Sequence, residues 1–111
     1  MNSEINKKIE EMQILEHQLQ NLLMQKQGVE IEVNEIDNAV NELDSSGGEV
    51  YKVLSGIMIK SDKKTLSKEL TERKKTAEMK ISSIEKQEKL IEKSALELRK
   101  EVRESVSKNK K

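Results

Sequence analysis

The side chains that could do chemistry are few. His17 is the only histidine and the chain has no cysteine, so a Cys/His metal cage, a thiolate site and a disulfide framework are all excluded. The glycine pair Gly47–Gly48 is followed by Glu49, not by the Lys-Ser or Lys-Thr of a phosphate-binding loop, and no G-x-G-x-x-G occurs. Carboxylate neighbours such as Glu10 and Glu11 fall on a helical face open to water, where nothing would raise a carboxyl pKa toward neutrality for acid–base work. His17 falls on the outer face of the same helix. The expectation is a protein that is not an enzyme, with no catalytic residue, no metal site and no cofactor.

The remaining distinctive stretch is VYKVLSGIMIKSD, from Val50 to Asp62, and its chemistry is association. VYKVL and IMIK are rich in β-branched residues, and Ser55–Gly56 between them suits a two-residue hairpin turn. With that turn, Val50, Lys52, Leu54, Ile57 and Ile59 share one face, and Tyr51, Val53, Met58 and Lys60 share the other. Both faces carry aliphatics. A two-stranded hairpin is marginal in water, with two open edges, and the end of one helix pair is too narrow to cover it. Val50, Tyr51, Val53, Leu54, Ile57, Met58 and Ile59 are therefore expected to assemble with other chains, closing a sheet or barrel, in an obligate oligomer.

The elements that must carry this hairpin are helical. Among 111 residues only a third are apolar, 38% are charged and Tyr51 is the single aromatic, so burial must come from aliphatics in narrow stripes rather than from a globular core. Counting alternately in threes and fours from Ile5 reaches Met12, Leu15, Leu19, Leu22, Val29, Val33, Ile36, Val40 and Leu43, with Lys8 and Lys26 as the polar exceptions. The second flank gives Leu70, Ala77, Ile81, Ile84, Ile91, Ala95, Leu98 and Val102, with Lys74 and Glu88 as exceptions. Both follow the 3.5-residue period of a left-handed coiled coil.

Proline is absent. DSSGG, Asp44 to Gly48, should end the first helix with a left-handed glycine cap, and Ser61 or Asp62 should cap the second. The expected fold is mainly α: a long antiparallel coiled-coil hairpin with a central β-hairpin that assembles into an intersubunit β-barrel. Its boundaries are helix 1 over 1–44, linker and β-hairpin over 45–62, helix 2 over 63–106 and a flexible tail over 107–111, all in one subunit. Folding back aligns Met12 with Leu98, Leu15 with Ala95, Leu19 with Ile91, Val33 with Ala77 and Val40 with Leu70, while Leu22 meets Glu88 and Lys26 meets Ile84.

Charge adds exclusions. Lys and Arg number 21, as do Asp and Glu, so there is no net field to draw the chain onto nucleic acid or an anionic membrane. The basic SKNKK end lacks aromatics for base stacking. MNSEINKKIEEM has no apolar signal region and no run approaches a membrane span, so a cytoplasmic protein is expected, without nucleic-acid or membrane partners.

Helix, midpoint hairpin and helix, with Val50, Tyr51, Lys52, Gly56 and Lys60 in a VYKxxGxxxxK-like core, resemble the β-type subunit of prefoldin over the whole chain. The turn falls one residue later than in a YKLVG pattern. The resemblance implies a hexamer of two α-type and four β-type subunits, whose hairpins form a barrel platform and whose coiled-coil arms surround a cavity. It also implies ATP-independent capture of unfolded polypeptides at the arm tips and delivery to a cytosolic group II chaperonin. Ile9, Ile14 and Val106 lie off the seam near the chain ends, and Ile5, Met12, Leu98 and Val102 are seam residues where fraying exposes them. These seven are the expected client-binding residues. The alternative is a structural coiled-coil tether or spacer in an oligomeric assembly.

Overall fold

The computed structural model describes residues 2–109. In chain order it has α1 (Asn2–Ser45), β1 (Val50–Leu54), β2 (Ile57–Ser61) and α2 (Lys63–Asn109). Helix α2 thus continues to Asn109, past the boundary at 106 read from the sequence. Of the tail expected over 107–111, Lys110 and Lys111 lie outside the described residues.

Burial follows the two stripes. Every 3–4 position from Ile5 to Leu43 and from Leu70 to Val102 is buried or half-buried, whereas almost all other helical positions are exposed. The polar exceptions Lys8, Lys26, Lys74 and Glu88 are also half-buried, so the seam protects whatever stands at its positions. The deepest are Ala77 at 2% and Ile36 at 3% exposure. A seam this narrow covers few side chains completely: among the described residues only Leu22, Ile36, Leu43, Ala77 and Ile84 are buried hydrophobics.

The chain divides into two compact units. One is made from the described residues of Met1–Lys26 and Ser82–Lys111. Here two ion pairs join α1 to α2: Lys8 Nζ lies 3.5 Å from Glu101 Oε2, and Lys26 Nζ donates to Glu88 Oε1 at 2.8 Å. The sequence alignment set each of Lys26 and Glu88 opposite an aliphatic residue. In the structure the two side chains meet each other instead.

The other unit is Gln27–Ile81. Its helical segments are joined by Arg73 Nη2 to Glu32 Oε1 at 3.5 Å and by Lys74 Nζ to Asp37 Oδ1 at 2.7 Å. The Asp37 hydrogen bond and charge raise the Lys74 pKa above its ordinary value. The seam cation is thereby held at its charged end by a carboxylate beside the seam.

The ends of the helices are set by different chemistry. Helix α1 does not stop through a left-handed glycine, since neither Gly47 nor Gly48 has positive φ. Instead Ser46 N–H donates to Leu43 O at 3.3 Å, tightening the last turn, and Ser45 Oγ donates toward the carbonyls of Asn41 and Glu42. Helix α2 is capped by Asp62. Its Oδ1 accepts from Thr65 N–H at 2.8 Å, and its Oδ2 accepts from Thr65 Oγ1 at 3.0 Å. These bonds to Thr65 lower the Asp62 pKa from its ordinary 3.8.

Two outcomes are expected. Lys26→Leu alone, which leaves the largely enclosed Glu88 without this cation, should cost about 1–3 kcal/mol in urea unfolding, whereas K26L/E88L should recover the loss by removing both charges from the seam. The Asp62 contribution is complete above its unfolded pKa and is lost as pH falls through the lowered folded value. Asp62→Asn keeps a capping oxygen that does not titrate, so its thermal midpoint should vary less than the parent's between about pH 4 and pH 2.

Candidate functional site

The hairpin begins from its turn. Ser55 has φ 50° and Gly56 has φ 79°, so both central residues are left-handed, as the twist-compatible type I′ turn requires. Glycine adopts this without cost; Ser55 carries a Cβ in a region that penalises it. The register follows: Leu54 pairs with Ile57, Val53 with Met58, Lys52 with Ile59, Tyr51 with Lys60 and Val50 with Ser61. The Ser55–Gly56 turn and the two faces read from the sequence are those observed.

The faces are not equivalent. On the first, Val50, Lys52 and Ser61 are half-buried, and Lys52 Nζ donates to Glu69 Oε2 of α2 at 2.9 Å. Between β1 and the helices lies an open groove of about 480 Å³, lined among others by Leu43, Leu66 and Leu70 and by residues of both hairpin faces, Val50 and Lys52 of the first and Tyr51 and Val53 of the second. Leu66, off the seam and therefore open to water on periodicity alone, is half-buried there. The second face is bare: Tyr51, Val53 and Met58 are all exposed, the last two at 66%. At its base Glu49 accepts from Tyr51 Oη at 2.6 Å and pairs with Lys60 Nζ at 3.0 Å.

Toward the turn neither face is covered. Leu54, Ile57 and Ile59 are exposed on the first, Ile57 at 63%. Of the seven residues expected to make the assembly surface, Val50 is half-buried and the other six are exposed large side chains. They form a continuous apolar ribbon with water on both sides, which is unfavourable at roughly 25 cal/mol per Å² of apolar surface left uncovered.

The client-binding candidates fall in the unit built from the chain's two ends. Ile9, Ile14 and Val106 are exposed, whereas Ile5, Met12, Leu98 and Val102 are half-buried in the seam. Ile14, Leu15 and Leu98 line one open groove of about 430 Å³, rimmed by Glu11, Glu97 and Glu101. Leu23, Met24, Leu90 and Leu96 of the same unit are exposed as well. Among the described residues no group of three His, Cys, Asp or Glu side chains could hold a metal ion, and no helix is long and apolar enough to cross a membrane.

The sequence pattern described as Prefoldin subunit matches residues 6–109. The chain belongs to the prefoldin subunit family.

Its β-type relatives include the prefoldin subunit beta of Sulfurisphaera tokodaii, 33% identical over 107 residues, covering 95% of this chain and 86% of the relative. The crystal structure of the prefoldin beta subunit from Thermococcus strain KS-1 superposes with a TM-score of 0.86 at 27% identity, covering 92% of this chain and 91% of that one. The beta2 subunit from the same strain shares the fold, with TM-score 0.71 at 19% identity over 78% of this chain and 95% of its own. Family membership brings a chaperone-type function and assembly with other prefoldin subunits. Two long helices carrying a β-hairpin are thus the prefoldin β fold.

Three elements of the site were not read from the sequence: Glu49, Glu69 and Leu66. Glu49 had a legible signal, an acid immediately before VYK with Lys60 opposite Tyr51 in the pairing. Glu69 and Leu66 had none, because they depend on how the hairpin leans on the first turns of α2.

The left-handed Ser55 supplies a test of the turn. Ser55→Asn, which tolerates that conformation better, should stabilise the hairpin by about 0.5–1 kcal/mol, and slower exchange of the Lys52 and Ile59 amides, whose pair exchanges ladder hydrogen bonds, would report it.

Proposed function

We propose that the chain is a subunit of an ATP-independent holdase that gathers through its hairpins, captures unfolded polypeptides at the helix ends remote in sequence from the hairpin, and passes them to a group II chaperonin in the cytoplasm. The observation that carries this is the set of exposed aliphatics on both faces of the hairpin, Val53, Leu54, Ile57, Met58 and Ile59, in a prefoldin-family chain. Association is its physical remedy. Neighbouring hairpins add strands at the open edges and cover the aliphatic faces, closing a barrel in a hexamer of two α-type and four β-type subunits.

Gathering creates the activity. Ile9, Ile14 and Val106, with Ile5, Met12, Leu98 and Val102 released by fraying, offer aliphatic contacts among charges. Such a surface binds many chains weakly and none by a fixed shape. Several copies on one platform raise overall affinity about 10²- to 10⁴-fold when the client is long enough to engage them together. Holding the unfolded chain lowers its free concentration and so its aggregation. No step needs a nucleotide.

Light scattering of a denatured client during dilution tests this with the complex reconstituted from this chain and an α-type prefoldin subunit. The intact complex should suppress aggregation, and a version lacking residues 1 to 12 should suppress it several-fold less. Equal suppression by both would remove the N-terminal residues from the client site. No suppression by either would favour the structural tether. Ile57→Glu should abolish the complex in sedimentation while leaving helix content intact, since a charge on the ribbon opposes its covering.

A further inference from the structure

Covering the hairpin poses a problem that its aliphatics do not. Each face carries one lysine, and the second also carries a tyrosine hydroxyl. A lysine or hydroxyl enclosed by a neighbour without a partner would oppose association. Lys52 is served by Glu69, which comes from α2. Lys60 and Tyr51 are served differently, by one residue at the entry to β1.

Glu49 spends one carboxylate oxygen on each strand. Oε2 accepts from the Tyr51 hydroxyl at 2.6 Å and Oε1 meets Lys60 Nζ at 3.0 Å. Tyr51 and Lys60 are directly paired across the hairpin, so the three side chains close a ring over its base. The same contacts hold the Glu49 pKa below and the Tyr51 pKa above their ordinary values, which keeps the carboxylate ionised and the phenol protonated at neutral pH.

Resting on the assembly reading above, we propose that Glu49 is a positioning residue for subunit association: it binds Tyr51 and Lys60 into one charge-balanced, hydrogen-bonded unit, so that a neighbouring prefoldin subunit covers the chain's sole aromatic ring with its polar end already satisfied.

In the free chain all three side chains are exposed, where ion pairs contribute little to folding. Its value lies in the covered state. There the surrounding dielectric falls, each bond strengthens, and an unmatched member becomes costly. Tyr51 combines a large apolar body with one hydroxyl, the kind of side chain that anchors contacts when the hydroxyl has a partner. The partner is here supplied by the same chain, so the neighbour need offer only apolar surface. Beside the trio, Val53 and Met58 continue the face without polar groups.

The test compares association of the full chain with the α-type prefoldin subunit of the same organism, by sedimentation velocity, with circular dichroism to follow helix content. Glu49→Ala should weaken association about tenfold by leaving Lys60 and the hydroxyl to be covered without a partner. E49A/Y51F/K60M, which removes all three polar ends, should return it to within about threefold of the parent. Unchanged association of Glu49→Ala overturns the proposal. So does a triple variant as weak as Glu49→Ala, because a role confined to linker geometry would not be rescued. Ile57→Glu separates the two readings: if it associates as tightly as the parent, assembly through the hairpin fails and the role of Glu49 fails with it. If it dissociates while Glu49→Ala does not, assembly stands and only Glu49 is dismissed.

Discussion

Two strands joined by a tight turn have two faces and two edges, and the helices that flank them can shelter part of one face only. Val50 and Lys52 lean toward α2 and are half-buried; Val53, Leu54, Ile57 and Met58 have no such shelter. The apolar content of the hairpin is too high for a solvated loop and its area too small for a core of its own. This mismatch is the physical ground for the proposed assembly. Under the proposed assembly the missing parts are other prefoldin subunits.

The helices solve a different problem. With 38% charged residues and one aromatic, they cannot enclose a volume, but a stripe repeating every 3.5 residues can hold two helices together along a line. Few seam side chains are fully buried, so cohesion comes from many partial burials rather than a few deep ones. The polar seam residues fit this economy. Lys26 pairs with Glu88, Lys74 with Asp37 and Lys8 with Glu101. The Lys8–Glu101 and Lys74–Asp37 pairs stay open enough to cost little desolvation, whereas Lys26 and Glu88 are largely enclosed, and each pair is sensitive to how the helices are aligned.

Local signals were legible wherever a local property decides. Ser55–Gly56 announced a two-residue turn, and the turn dictates the strand pairing and the division of faces. The stripes from Ile5 and Leu70 announced which helical positions would be protected, down to the lysines among them. Ser61 and Asp62 both offered a cap, and Asp62 makes it. The glycine cap at Gly47–Gly48 was the local expectation that failed: a serine hydroxyl and a short backbone bond end α1, and the glycines are spent on the linker. The seven end-of-chain candidates were legible as apolar residues, while their division into exposed Ile9, Ile14 and Val106 and half-buried Ile5, Met12, Leu98 and Val102 follows from seam position.

By itself the sequence determined the period of the helices, the place of the turn and the apolar character of both hairpin faces, because backbone preference and residue spacing act over a few neighbours. The tertiary structure alone decided that Lys52 reaches Glu69 and that Leu66 lies under the hairpin. Those outcomes depend on how the strands tilt against α2 and how far flexible side chains extend. Tilt and reach are properties of the packed elements, and no repeat in the residue order records them.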